Sequence, residues 1–157
     1  MRHFTVSEKL DRARRAWPLW VGVICRAVDE KYGDEGRRVV MSALRQQGQI
    51  HGRKVIVAKM NAQPTISDII EIHKTLVQVM GLDCEYTDIT KRSFVLHVNH
   101  CPMAERWQIM RAPAWMCEVW GQYVLGMYTA VNENFDYFVR KSVLNGDPYC
   151  EEVWQIK

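Results

Sequence analysis

Cys101 has the most informative setting of any reactive side chain in this 157-residue sequence. It lies where an alternating strand pattern ends and Pro102 opens a helical one, so its thiol is expected at a helix N-terminus. Free backbone N–H groups and the helix dipole favour a thiolate there. His100 precedes it and His97 lies one strand step earlier, and a thiolate within reach of an imidazole is a nucleophile arrangement. The alternative is that Cys101 only caps and packs. Adjacent strand residues point to opposite faces, so His100 and Cys101 need not touch.

Cys117 falls on a helical apolar stripe with Trp120, Val124 and Tyr128, and Cys150 shares a strand face with Trp154 and Ile156. Both point inward, where a free cysteine usually serves as a small hydrophobe. Three inward thiols also raise zinc or another metal, with His97, His100, Glu105 or Glu118 as a fourth ligand. Separations of sixteen and thirty-three residues are unlike the close pairs of structural zinc sites, so the expectation is no metal and no cofactor. Trp107, Trp115 and Trp120 crowd the same stretch, either as core or as the walls of a pocket for a small flat ligand. His51 and His73, on helical segments elsewhere, read as surface or packing residues.

These residues must be positioned by two kinds of element. In the first half, Leu10, Trp17, Val21, Ile24 and Val28 recur at helical intervals. Pro18 should kink that helix or open a second one, and Gly33-Asp34-Glu35-Gly36 should end it. A further helix is expected over 37–60, with Gly48 and Gly52 allowing another backbone to come close, then a break at Asn61-Ala62-Gln63-Pro64. Another runs from an N-cap at Ser67 to Gly81. Strands follow over 83–90 and 93–99, then helices over 102–110 and from about Pro113. A closing hairpin spans 135–143 and 149–156 around Asn145-Gly146-Asp147-Pro148. The order ααα-ββ-αα-ββ predicts an α+β fold, an antiparallel sheet of two hairpins packed against helices, in one domain over 1–157.

Composition narrows the function classes. A net charge of +3 is mild, and the Arg12, Arg14 and Arg15 cluster reads as a solvated helix face, so no nucleic-acid partner is expected. Met1-Arg2-His3-Phe4 runs into charged residues rather than a secretory apolar core, and the apolar stretch over 16–28 is broken by Pro18 and Arg26, so no membrane association is expected. Five cysteines without a CxxC pair suit free thiols in a reducing, cytoplasmic setting. A homo-oligomer is compatible with this composition.

The second half resembles the L-2-amino-thiazoline-4-carboxylic acid hydrolase-like family. The resemblance rests on Cys101-Pro102 with Glu105, Cys117-Glu118, Asn132 before a strand, and Gly146-Asp147-Pro148-Tyr149-Cys150-Glu151, over roughly residues 83–155. The order of elements also looks like the wider group of ligand-binding domains typified by 4-vinyl reductase. The family resemblance implies a hydrolase that opens a carbon–nitrogen bond in a small cyclic amidine. Cys101 would be its nucleophile, with His100 beside it and Glu105 or Asp147 handling protons, while Cys117, Glu118, Asn132 and Cys150 would line the substrate site. Where related sequences often read Asn-Pro, this chain has Asn132-Glu133. The competing expectation is a non-catalytic module that binds a small molecule or a metal.

Overall fold

Glycine at position 33 decides the shape of the first half. The computed structural model describes residues 3–56 and 64–157, and its first helix, α1 (Val6–Val55), is interrupted only at Gly33, where φ is +54°. That left-handed conformation is one a glycine adopts without steric cost. Asp29 and Arg37 pair across the break. A Cβ built on Gly36 would lie 2.6 Å from Val28 Cγ1, so the chain doubles back and the two arms of α1 touch. The expected break at Gly33–Gly36 is therefore present. Pro18 does not kink the helix or begin a new one; it is buried inside the first arm, and its carbonyl accepts the indole N–H of Trp107 at 3.0 Å. The second arm's expected continuation over 57–60, and Asn61, Ala62 and Gln63, lie outside the described residues.

Helix α2 (Ile66–Met80) begins two residues earlier than expected. Thr65, rather than Ser67, is the N-cap: its hydroxyl accepts from Asp68 N–H while Asp68 accepts from Thr65 N–H, a reciprocal capping box. Gly81, at φ +75°, closes the helix, and Arg14 donates to the carbonyls of Gln78 and Val79 at its end. Arg14 is thus a helix-capping group rather than part of a merely solvated face.

Strands β1 (Asp83–Thr87) and β2 (Ser93–His100) precede helices α3 (Pro102–Ile109) and α4 (Met116–Thr129), and β3 (Phe135–Lys141) and β4 (Cys150–Ile156) close the chain. The strand order is β1-β2-β4-β3, with every neighbouring pair antiparallel. Strand β1 stops before Thr90 because Asp88 turns to φ +48°. Strand β3 stops before Val143 because Ser142 caps a 3-10 turn over Val143–Asn145. Phe94 faces Trp154 across the central pair and Val98 faces Cys150, and these side chains with Leu96 form the buried face against the helices. The α+β architecture and its inward register follow the sequence pattern. Among the described residues no helix is long and apolar enough to cross a membrane.

The second arm of α1 meets α4 backbone to backbone. A Cβ on Gly48 would lie 2.0 Å from the Tyr123 carbonyl, one on Gly52 2.4 Å from that of Met127, and one on Gly126 2.1 Å from that of Arg45. Small residues are required there, and they fix α4 between α1 and the sheet.

Candidate functional site

Cys101 does cap α3: its sulfur accepts the Ala104 N–H at 3.4 Å. The expected thiolate does not follow. Burial pushes the thiol up to about 12, outweighing the N–H groups of Ala104 and Met103, and no imidazole is among the groups that set its acidity. His100 is turned to the surface, where its Nε2 meets Glu105 Oε1 at 2.9 Å, and both side chains are at least half exposed. His97 packs edge-on against Tyr149, their ring centroids 4.0 Å apart. The pairing of Cys101 with a histidine base is therefore corrected: alternation turns His100 to the other face, where it meets Glu105, and His97 is engaged by the Tyr149 ring.

Asp147 and Asn132 hold turns. Asp147 accepts the Ser142 N–H at 2.8 Å, and Asn132 accepts the Asn134 N–H at 3.0 Å. Glu118, in the first turn of α4, has its carboxyl raised by burial and shares a small cavity with Cys117. What the structure does gather is the thiols. Cys117 and Cys150 are close enough to influence each other's acidity, and Cys101 close enough to feel the charge of Cys150; all are free. The Cys150 thiol is held below its ordinary value because it accepts from Cys117, from the Val143 N–H at 3.4 Å and from Ser142, while Cys117 is held above. No three His, Cys, Asp or Glu side chains among the described residues converge in a way that would hold a metal.

Beside the thiols is a group that the motif reading passed over. Glu152 lies between Cys150 and Trp154 on the helix-facing side of β4, accepts the Trp154 indole N–H at 3.3 Å, and has its carboxyl lifted to about 8, first by burial and then by the Cys150 charge. His73 of α2 is wholly buried and its ring is driven down to about 3 by desolvation. Tyr86, Phe94, Tyr128 and Trp154 surround it at centroid distances of 5.2 to 5.9 Å. His73 Nδ1 and the hydroxyls of Tyr86, Tyr128 and Tyr137 have no hydrogen-bond partner there. The strand period could have revealed Glu152, since it shares its face with Cys150 and Trp154. Nothing local marks His73, whose aromatic neighbours come from four other elements.

A second region lies on the opposite side of α4. Trp17, Val21, Ile24 and Cys25 from the first arm of α1, Val40, Ala43 and Leu44 from the second, Trp107 of α3, and Val119, Trp120 and Tyr123 of α4 enclose an open-mouthed cleft of about 460 Å³. Its lining is apolar apart from the ends of a few aromatic rings. Ile24 of its lining is exposed to solvent, and the Tyr123 hydroxyl is paired with His51 Nδ1. A volume of this size with apolar and aromatic walls is what small-molecule pockets offer. It lacks a nucleophile and base facing each other. Of the sequence-expected pocket walls, Trp107 and Trp120 are here. Trp115 is not, and instead donates to Asp29 at 3.1 Å.

No family model matches the chain and no curated protein matches it, so the resemblance to the aminothiazoline hydrolase family finds no support. Solved structures do share its fold. The phenol-responsive sensory domain of the transcription activator PoxR, solved with phenol, is 15% identical with a TM-score of 0.67, covering 98% of this chain and 92% of that one. A trafficking protein particle complex subunit 3 from Naegleria fowleri, covalently bound to palmitic acid, is 14% identical with a TM-score of 0.70, covering 94% and 96%. Both are small α+β domains, and at these identities the likeness shows the fold alone.

Proposed function

We propose that this chain is a non-catalytic binding module for a small, largely apolar molecule with a flat aromatic body, held in the cleft between the two arms of α1 and α4. The observation that carries this reading is the cleft itself: about 460 Å³, walled by Trp17, Trp107, Trp120 and Tyr123. Burying an aromatic ring of ligand size against such walls is worth several kcal/mol, of the order of 25 cal/mol per Å² of apolar surface removed from water. Cys101, Cys117, Cys150, Glu152 and His73 lie outside the cleft lining, so a molecule there meets shape, aromatic faces and a single thiol, Cys25, whose pKa burial raises. That the fold neighbours were solved with phenol and with palmitic acid supports the class of ligand.

Three tryptophans line the cleft, so their fluorescence reports its occupancy. Titration with phenol and with 4-alkylphenols is expected to change that fluorescence saturably and to raise the melting temperature. Ala43→Trp and Val21→Phe, which fill the cleft from opposite arms, are expected to remove both responses while keeping the far-ultraviolet circular dichroism. A response unchanged in both filled variants would place the ligand elsewhere. Turnover of a cyclic amidine that Cys101→Ser abolishes would replace the binding reading with the hydrolytic one.

A further inference from the structure

We propose that the outer face of the first arm of α1 is a self-association surface, on which a second copy of this chain packs its own first arm antiparallel, about a two-fold axis beside Val21. The inference concerns the outside of that arm and does not depend on what occupies the cleft.

Along the first arm, the buried residues Pro18, Gly22 and Cys25 mark the side turned to the protein. The opposite side carries Ala16, Leu19, Trp20, Val23, Ile24 and Ala27, all exposed, at the three- and four-residue intervals of one helix face. Trp20 is 70% and Ile24 60% exposed, and no charged residue interrupts the chain from Ala16 to Cys25. Val79, Ile89 and Phe138 are also exposed but stand singly elsewhere, as scattered apolar side chains do on any surface. A contiguous strip is different, because apolar patches beyond a few hundred Å² mark contact surfaces. One large aromatic, three aliphatic and two alanine side chains offer on the order of 600 Å², close to the roughly 800 Å² that each partner gives to a standard interface. The stems of the charged residues at both ends of the strip supply the rest.

The charges choose the occupant. Arg12, Leu19, Val23 and Glu30 share one edge of the strip, seven, four and seven residues apart, and Arg12 and Glu30 are each nine residues from Val21. In an antiparallel pair with its axis there, Leu19 of each copy meets Val23 of the other, and Arg12 of each meets Glu30 of the other. A parallel pair would set Arg12 against Arg12 and Glu30 against Glu30. The strip is therefore complementary to itself in the antiparallel sense, which is the property of an isologous two-fold interface. Within the chain Arg12 lies over the Phe4 ring and Glu30 is 3.7 Å from Arg26, both of them surface contacts. Exposed ion pairs add little affinity, so burial of Trp20 and its neighbours drives the association and the charges set its direction.

The test is sedimentation equilibrium of the full chain over a wide range of concentration. The expected result is a mass that rises from 18.4 kDa toward twice that value. Trp20→Glu changes neither a buried residue nor the cleft lining, and is expected to weaken the dimer at least about tenfold while the far-ultraviolet circular dichroism is kept. Arg12→Glu and Glu30→Arg are each expected to weaken it, and the two together to restore it, a recovery that charges not facing each other would not give. A monomer at every concentration, whether or not it sediments with phosphatidylserine vesicles, would overturn the assignment. So would a dimer unmoved by Trp20→Glu, or a double swap no better than either single variant.

Discussion

On its α1-facing side, α4 presents Val119, Trp120 and Tyr123 to an open apolar cleft; on its sheet-facing side it presents Cys117, Val124 and Tyr128 to a filled interior. The first region has room and almost no reactive groups. The second has thiols, a buried carboxyl, a buried imidazole and three unpartnered tyrosine hydroxyls, with aromatic rings packed among them. One helix of period 3.6 divides the two, so residues close in sequence serve different ends. The difference teaches that cysteine-rich sequence need not mean a cysteine site. Catalysis needs volume and reactive groups together, whereas binding needs only volume with suitable walls.

The largest expected effect comes from moving the partition. Gly126→Val should cost about 3 kcal/mol or more in urea unfolding, because its Cβ position lies 2.1 Å from the Arg45 carbonyl, a backbone atom that cannot step aside. Gly33→Ala meets no neighbour but is strained at φ +54°, and should cost about 1 kcal/mol. Equal costs would mean that α4 is not held by the close approach.

Next is the pH dependence of the filled side. Glu152 keeps its proton in the folded chain up to about 8 but has an ordinary value of 4.5, so its contribution is complete at low pH and is lost as pH rises toward 8. His73 behaves oppositely: held neutral when folded down to about 3 against an ordinary 6.5, its contribution is lost as pH falls from 6.5. The two slopes oppose each other between 4.5 and 6.5. Of these two, only the Glu152 slope remains above 6.5, on the order of 2 kcal/mol up to pH 8, and the lowered Cys150 thiol opposes it from about 7 upward. Glu152→Gln should flatten the upper limb of stability against pH and leave the acid limb in place. An unchanged upper limb would show that the carboxyl is not buried as described.

Smaller effects should come from the cleft and from the cap. Ala43→Trp is expected to weaken binding of a 4-alkylphenol at least tenfold, about 1.4 kcal/mol, measured by calorimetry. Cys101→Ser should change stability by less than about 1 kcal/mol in urea, since serine also caps a helix. Cys101 should not outpace the other cysteines in alkylation, because burial rather than the helix dipole sets its acidity.

Much of the fold was legible because its signals are local. Alternation in Phe94, Leu96 and Val98, the proline after Cys101 and the Asn145–Pro148 turn each act within a few residues, and the strands and helices follow them. The helix break at Gly33 was equally readable. Inwardness of Cys117 and Cys150 followed from period, and so did their arrival in one region. What could not be read was desolvation: whether backbone N–H groups or burial decides the Cys101 thiol depends on what α1, α4 and β4 place over it. The cleft was hidden for a related reason. Its walls come from both arms of a helix that doubles back at one glycine, and the spacing of Trp17 and Val21 does not say that Val40 and Leu44 will face them.

The central claim is most directly tested by saturation-transfer NMR on the chain mixed with a 4-alkylphenol and, separately, with 2-aminothiazoline-4-carboxylate. The expected result is magnetisation transfer to the aromatic protons of the phenol, lost in Ala43→Trp, and an aminothiazoline spectrum that stays unchanged on prolonged incubation. Ring-opened product that grows with time in the wild type and is absent in Cys101→Ser, with no transfer to the phenol, would contradict it.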